Sequence, residues 1–181
     1  LGLVDTGFWA PAASAGRCAY PQVDPATGRK QAVPNPLSEP KWFSGGGGMV
    51  STAADYARFC QMLLNGGELE GERILGRKTL DLMTMNHLPD GGDLASWSKS
   101  LFSEATNAGV GFGLGFAVNI NPAANMIPGS VGEYYWGGMF STAFFVDPVE
   151  KLHMVFMTQL SPSSVYPIRR ELKTFIYSAL I

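Results

Sequence analysis

Residues 133–159 read EYYWGGMFSTAFFVDPVEKLHMVFMTQ, and this stretch decides the fold. Aromatic and β-branched residues crowd Tyr134 to Val146 and again Leu152 to Gln159, which is the composition of strands. Between them Asp147-Pro148-Val149-Glu150-Lys151 carries turn chemistry, with proline fixing one backbone dihedral. The two runs are therefore expected to pair as an antiparallel hairpin.

Working outward, Gly111 to Asn119 reads as a further strand. Beyond Pro162 and Pro167, the residues Ile168, Leu172, Phe175, Ile176 and Leu180 recur at helical spacing, so a closing helix should lie across the sheet. Upstream, Gly45-Gly46-Gly47-Gly48-Met49-Val50 leads into the first strong helix. Ser51 or Thr52 can cap it, Asp55 stands three residues after Thr52 as in a capping box, and Ala53, Tyr56, Cys60, Leu63 and Leu64 form its apolar stripe. Asn65-Gly66-Gly67 stops it. A second helix is predicted over Arg77 to Asn86, with Leu80, Met83, His87 and Leu88 on one side. Residues 10–41 lack either period and read as extended surface chain, turning tightly at Asp24-Pro25-Ala26-Thr27-Gly28, and residues 89–107 read as a polar excursion. The fold class is α+β, an antiparallel sheet flanked by helices, with loops and helices in 1–110 and strands plus the closing helix in 111–181.

Composition narrows the function. With 46% hydrophobic residues in 181, one globular domain can hide about 70% of its unfolded surface. Thirteen Lys and Arg against 15 Asp and Glu leave no basic face for nucleic acid or anionic lipid, so a small or neutral partner is expected. Cys18 and Cys60 fit neither a disulfide framework nor metal-ligand spacing. No apolar run approaches the roughly 20 residues of a membrane-spanning helix.

Three segments together resemble the serine β-lactamase-like superfamily, which includes penicillin-binding proteins and bacterial carboxylesterases. They are Gly45 to Asn65, Gly111 to Val118 and Glu133 to Gln159, joined by the opening Asp5-Thr6-Gly7-Phe8-Trp9. The match is co-linear over most of the chain. The resemblance implies that residues 1–181 are a single incomplete domain, the C-terminal part of that fold. It also implies that the serine and lysine of an S-x-x-K motif and the tyrosine of a Y-x-N motif lie upstream of Leu1, where the superfamily carries both motifs; the chemistry needs all three near one point, because a serine hydroxyl attacks carbonyls slowly without a neighbouring base. The third motif of the superfamily, K-T-G or W-G-G, is matched in its esterase form by Trp136-Gly137-Gly138. On this reading the glycines let substrate lie against the strand and the Met139 backbone N–H points at the developing oxyanion, a contact whose loss typically costs about 10²–10³ in rate. Trp136 in place of lysine removes a cation that would hold a penicillin carboxylate, which favours neutral esters. An incomplete domain should also expose a strand edge or an apolar face, to be covered by the missing N-terminal segment or by a second copy.

Other constellations compete poorly. The literal S-x-x-K matches Ser38-Glu39-Pro40-Lys41 and Ser96-Trp97-Ser98-Lys99 fail on context, the first because Pro40 disrupts the helical turn, the second because it lies in the polar excursion. Ser141, Asp147 and His153 could be imagined as a triad, but no nucleophile elbow surrounds the serine. His87 ends a helix and can face its last carbonyls. Neither histidine has a metal-binding companion, and the tetraglycine is followed by Met49-Val50 rather than the Gly-Lys-Ser/Thr of a phosphate loop, so no metal or cofactor is expected. The reading is a serine hydrolase acting on esters through an acyl-serine. The alternatives are a non-catalytic scaffold or interaction module and, within the superfamily, a β-lactamase, D-amino-acid peptidase or acyltransferase.

Overall fold

Glycine decides where the predicted strands break. The computed structural model describes residues 1–24, 26–29, 33, 35–97, 107–163 and 165–181. Its elements begin with helix α1 (Ala53–Leu64), a small hairpin of β1 (Glu68–Leu69) and β2 (Glu72–Arg73), α2 (Arg77–Met83) and the short α3 (Leu94–Trp97). A five-stranded antiparallel sheet follows in simple sequence order: β3 (Val110–Phe112), β4 (Ala117–Asn119), β5 (Tyr134–Gly137), β6 (Ala143–Asp147) and β7 (Leu152–Phe156). The short α4 (Pro122–Asn125) lies between β4 and β5, and α5 (Ile168–Ser178) closes the chain.

The run expected as one strand from Gly111 to Asn119 is thus two. It reverses where the Gly113 amide donates to the Phe116 carbonyl at 2.8 Å. Gly115 takes a φ of +105°, and a Cβ on Gly113 would stand 2.1 Å from the Met83 carbonyl oxygen. The run from Tyr134 to Val146 also folds back, into β5 and β6, with Tyr134 opposite Val146 and Gly137 opposite Ala143. In both cases closely spaced glycines break a run whose other residues favour extension. The Asp147 turn holds as expected: Asp147 Oδ1 accepts the Val149 and Glu150 amides at 2.9 and 3.1 Å, and Asp147 faces Leu152.

One face of the sheet packs on α1. Thr52 caps that helix by accepting the Asp55 amide, and Gly66 and Gly67 end it at positive φ. Cys60, Met62 and Leu63 are buried against Val118, Tyr134, Phe144 and Val146. The expected stripe is corrected at Ala53, which is exposed, and the expected capping box at Asp55, which is buried with its carboxylate accepting the Asp5 amide and the Thr6 hydroxyl at 2.8 and 2.7 Å. That contact docks the N-terminal strand-like segment, which bridges Gly7 to Val50. Helix α2 ends at Met83, not Asn86. Asn86 Oδ1 instead accepts the Leu88 and Phe112 amides, both at 3.1 Å, tying the chain to β3. In residues 10–41 the extended reading gives way to a short 3-10 helix at Ala12–Arg17. The Asp24 turn forms, with the Gly28 amide donating to the Asp24 carbonyl at 2.8 Å, while Pro25 lies outside the described residues.

The opposite face carries α5, and its expected stripe is also corrected. Phe175 is 72% exposed and Leu180 is exposed, whereas Lys173 is buried. Lys173 Nζ meets Glu133 Oε1 at 2.7 Å, and Tyr177 stacks on Phe145 with ring centroids 5.8 Å apart. The helix is rotated toward the sheet's carboxylates because leaving a buried carboxylate unpaired costs more than leaving one phenyl in water. Among the described residues, no helix is long and apolar enough to cross a membrane.

Candidate active site

Trp136-Gly137-Gly138-Met139 spans the end of β5 and the start of the turn into β6. The Gly138 amide donates to the Thr142 carbonyl at 3.0 Å, and the Ser141 amide donates back to the Gly138 carbonyl at 3.1 Å. Ser141 sits at φ +66°, fully buried, its hydroxyl donating to the Leu160 carbonyl at 2.9 Å. Arg169, in the first turn of α5, donates from Nη2 to the Gly138 carbonyl at 2.6 Å and to the Thr142 carbonyl at 3.2 Å. The glycines are what allow this: a Cβ on Gly137 would stand 2.9 Å from Arg169 Cζ and from the Thr142 carbonyl, and one on Gly138 would stand 2.4 Å from Thr142 Oγ1. The space freed at Gly137 is therefore filled by a guanidinium.

Trp136 remains 42% exposed, its ring edge-on to Phe112 at 5.2 Å. Met139 is exposed, and no group among the described residues accepts its backbone N–H. Of the neighbouring tyrosines, Tyr134 belongs to the α1 core, while Tyr135 shares the α5 face, with Lys173 Nζ 5.6 Å from its ring centre. Burial pushes both phenols above the ordinary tyrosine range.

Below this turn lies a buried polar cluster that sequence reasoning missed. The Tyr177 hydroxyl donates to Asp147 Oδ2 and lies 3.0 Å from Glu133 Oε2. Burial pushes the Glu133 carboxyl up, opposed by the Lys173 ammonium and Tyr177. Burial would raise Asp147 as well, but hydrogen bonds from Tyr177, Ser130 and the two turn amides hold it below the ordinary aspartate value. Burial and the two carboxylates push the Tyr177 phenol up. Gly129 makes room, since a Cβ there would stand 2.3 Å from Glu133 Oε2. The signal in the sequence was weak: a lysine inside an apolar helix and acidic residues flanking two strands. Arg169 left a fainter one still.

The competing constellations do not assemble. Ser141 is committed to Leu160 and Asp147 to Tyr177, while His153 Nδ1 is buried without a hydrogen-bond partner among the described residues, its pKa lowered by burial. Ser38 and Lys41 are exposed on a loop, and Ser96 donates to Asp93 Oδ1 at 2.7 Å, while Ser98 and Lys99 lie outside the described residues. His87 Nε2 lies 2.7 Å from the Leu82 carbonyl, in the last turn of α2 as expected. The tetraglycine is an exposed loop leading to the Thr52 cap. Among the described residues no group of His, Cys, Asp and Glu is arranged to hold a metal.

Residues 1–176 match the Beta-lactamase family. The chain belongs to that family. A Beta-lactamase-family assignment agrees with the α+β architecture and with solved structures of the same fold. Simvastatin synthase (LovD) from Aspergillus terreus superposes with a TM-score of 0.75 at 21% identity, covering 98% of this chain and 46% of that one. EstCE1, described as a hydrolase with promiscuous acyltransferase activity, gives 0.67 at 24% identity, covering 96% and 46%. At such identities the likeness is one of fold. Protein Rv1367c of Mycobacterium tuberculosis (strain ATCC 25618 / H37Rv) is 32% identical over 167 residues, 89% of this chain. The chain spans only 41% of the length of that relative.

Proposed function

We propose that this chain forms the oxyanion-side wall of a serine ester hydrolase, whose nucleophilic serine, activating lysine and tyrosine are contributed by sequence upstream of Leu1. The observation that carries this reading is the presentation of Met139: it directly follows the glycine pair on an exposed turn, and its backbone N–H, like those of Phe140 and Thr142, is unaccepted among the described residues, whereas the Gly138 and Ser141 amides are bonded internally. In the reaction, the serine oxygen bonds to the ester carbonyl carbon while its proton passes to the neighbouring base. The carbonyl oxygen becomes an oxyanion that accepts the Met139 N–H, the alcohol leaves with a proton, and water then cleaves the acyl-serine to acid and free serine. Trp136 offers an apolar surface where a lysine would offer a cation, which supports neutral esters over carboxylate-bearing β-lactams. The chain spans 41% of the length of Protein Rv1367c, and the upstream placement of the nucleophile rests on the motif order that the superfamily resemblance implies.

The test is hydrolysis of p-nitrophenyl butyrate by residues 1–181 alone and by the full-length protein. Turnover only in the latter, with acyl-serine trapped on an upstream peptide, is the expected outcome. Turnover by residues 1–181 that survives Ser38→Ala and Ser96→Ala overturns the upstream nucleophile. A full-length protein that neither turns over esters nor reacts with a fluorophosphonate probe points instead to the non-catalytic scaffold.

A further inference from the structure

Among the described residues, Arg169 is the charged side chain that hydrogen-bonds to the turn following Trp136-Gly137, and it does so on the backbone. Its Nη2 binds two carbonyls on opposite sides of the turn, Gly138 at 2.6 Å and Thr142 at 3.2 Å. Each of those carbonyls already closes the turn from within, Thr142 accepting the Gly138 amide and Gly138 accepting the Ser141 amide. Ser141 is held at a φ of +66°, a conformation an L-residue adopts only under constraint from its surroundings. A charged donor shared between two carbonyls is the strong kind of hydrogen bond, and it fixes their relative position. The arginine is itself aimed from the first turn of α5, which Lys173 and Tyr177 dock onto Glu133 and Asp147 one turn and two turns further along.

We infer that Arg169 is a positioning residue: it clamps the 138–142 turn so that the Met139 N–H keeps a fixed direction, without touching substrate. This rests on the reading of Met139 as an oxyanion donor. A preorganised donor matters where charge develops, so loosening the clamp should lower kcat and spare KM. Both bonds come from Nη2, so what lysine lacks is the planar guanidinium packed over Gly137 that aims that nitrogen; its ammonium, a point charge on a flexible stem, should recover only part of the loss.

The experiment compares Arg169→Gln and Arg169→Lys in the full-length protein by p-nitrophenyl butyrate kinetics, thermal melting and amide hydrogen exchange. Expected are a fall in kcat of tenfold or more for Arg169→Gln with KM within twofold, an intermediate kcat for Arg169→Lys, and at least tenfold faster exchange at the Gly138 and Ser141 amides. Unchanged exchange at those amides overturns the clamp whatever the kinetics. Unchanged kcat with faster exchange overturns its positioning role. If Arg169→Gln loses cooperative melting, Arg169→Lys decides by the same readings. A wild-type protein inactive on esters sinks the reading of Met139, and exchange then judges the clamp by itself.

Discussion

Against α1 the sheet presents Val118, Tyr134, Phe144 and Val146, and the helix answers with Cys60, Met62 and Leu63. Against α5 it presents Glu133 and Asp147, and the helix answers with Lys173, Tyr177 and, at its start, Arg169. The first face is held by apolar burial, which is non-directional and tolerates small shifts of the helix along the sheet. The second is held by hydrogen bonds and an ion pair, which fix helix rotation and axial position to fractions of an ångström. The candidate site hangs from the second. A turn that must aim one backbone N–H is better supported by contacts with direction than by grease.

The largest expected effect tests that contrast at Lys173. Lys173→Met leaves the Glu133 carboxylate buried with only Tyr177 for support, and removal of one partner of a buried pair costs about 3–5 kcal/mol. Urea unfolding should register that loss. Adding Glu133→Leu removes the stranded charge and should recover a large part of it. If the double variant is as unstable as the single one, the pair is not what holds α5. On the other face, Leu63→Ala should cost about 3 kcal/mol by the same measurement, within the usual range of about 2–5 for a buried leucine. No second-site charge change should rescue it, because the loss there is of volume and not of a partner.

The α1 face was almost wholly legible beforehand. The Thr52 cap, the stripe through Cys60 and Leu63 and the glycine stop are local patterns, and the helix follows them, although the Asp55 carboxylate binds Asp5 and Thr6 instead of completing a capping box. The α5 face was legible only as a helix. Periodicity placed Phe175 and Leu180 inward, yet Lys173 is the buried residue, since the partner that reverses the choice is Glu133, 40 positions away. Strand runs were found but not their breaks. In GFGLG and WGG the neighbouring residues favour extension, and only the approach of the Met83 carbonyl, Arg169 and Thr142 shows why the glycines are there. Trp136, Gly137, Gly138 and Met139 could be picked out as a motif. Arg169 could not, because nothing local marks a residue whose role depends on two distant carbonyls.

The smallest effect is read as a slope in acid. Asp147 is held below its ordinary value of 3.8 by the Tyr177 and Ser130 hydroxyls and two turn amides, which outweigh its burial. Its folded pKa is the lower one, so as pH falls the unfolded chain takes up the proton first. The stability Asp147 contributes is fully present above the ordinary aspartate range and drains away as pH falls through the lowered value. Glu133, pushed up by burial, works the other way: between its ordinary value of 4.5 and its raised one, the folded chain protonates first and gains stability as pH falls. The two slopes partly cancel in the wild type, so the informative quantity is a difference. Asp147→Asn keeps an oxygen for the Val149 and Glu150 amides while deleting the titration, and melting of the two proteins from neutral pH into acid should therefore converge, the wild type losing its advantage below about pH 4. A gap that stays constant across that window would mean that Asp147 acts on this face through shape alone, which would make the polar face more like the apolar one than its geometry suggests.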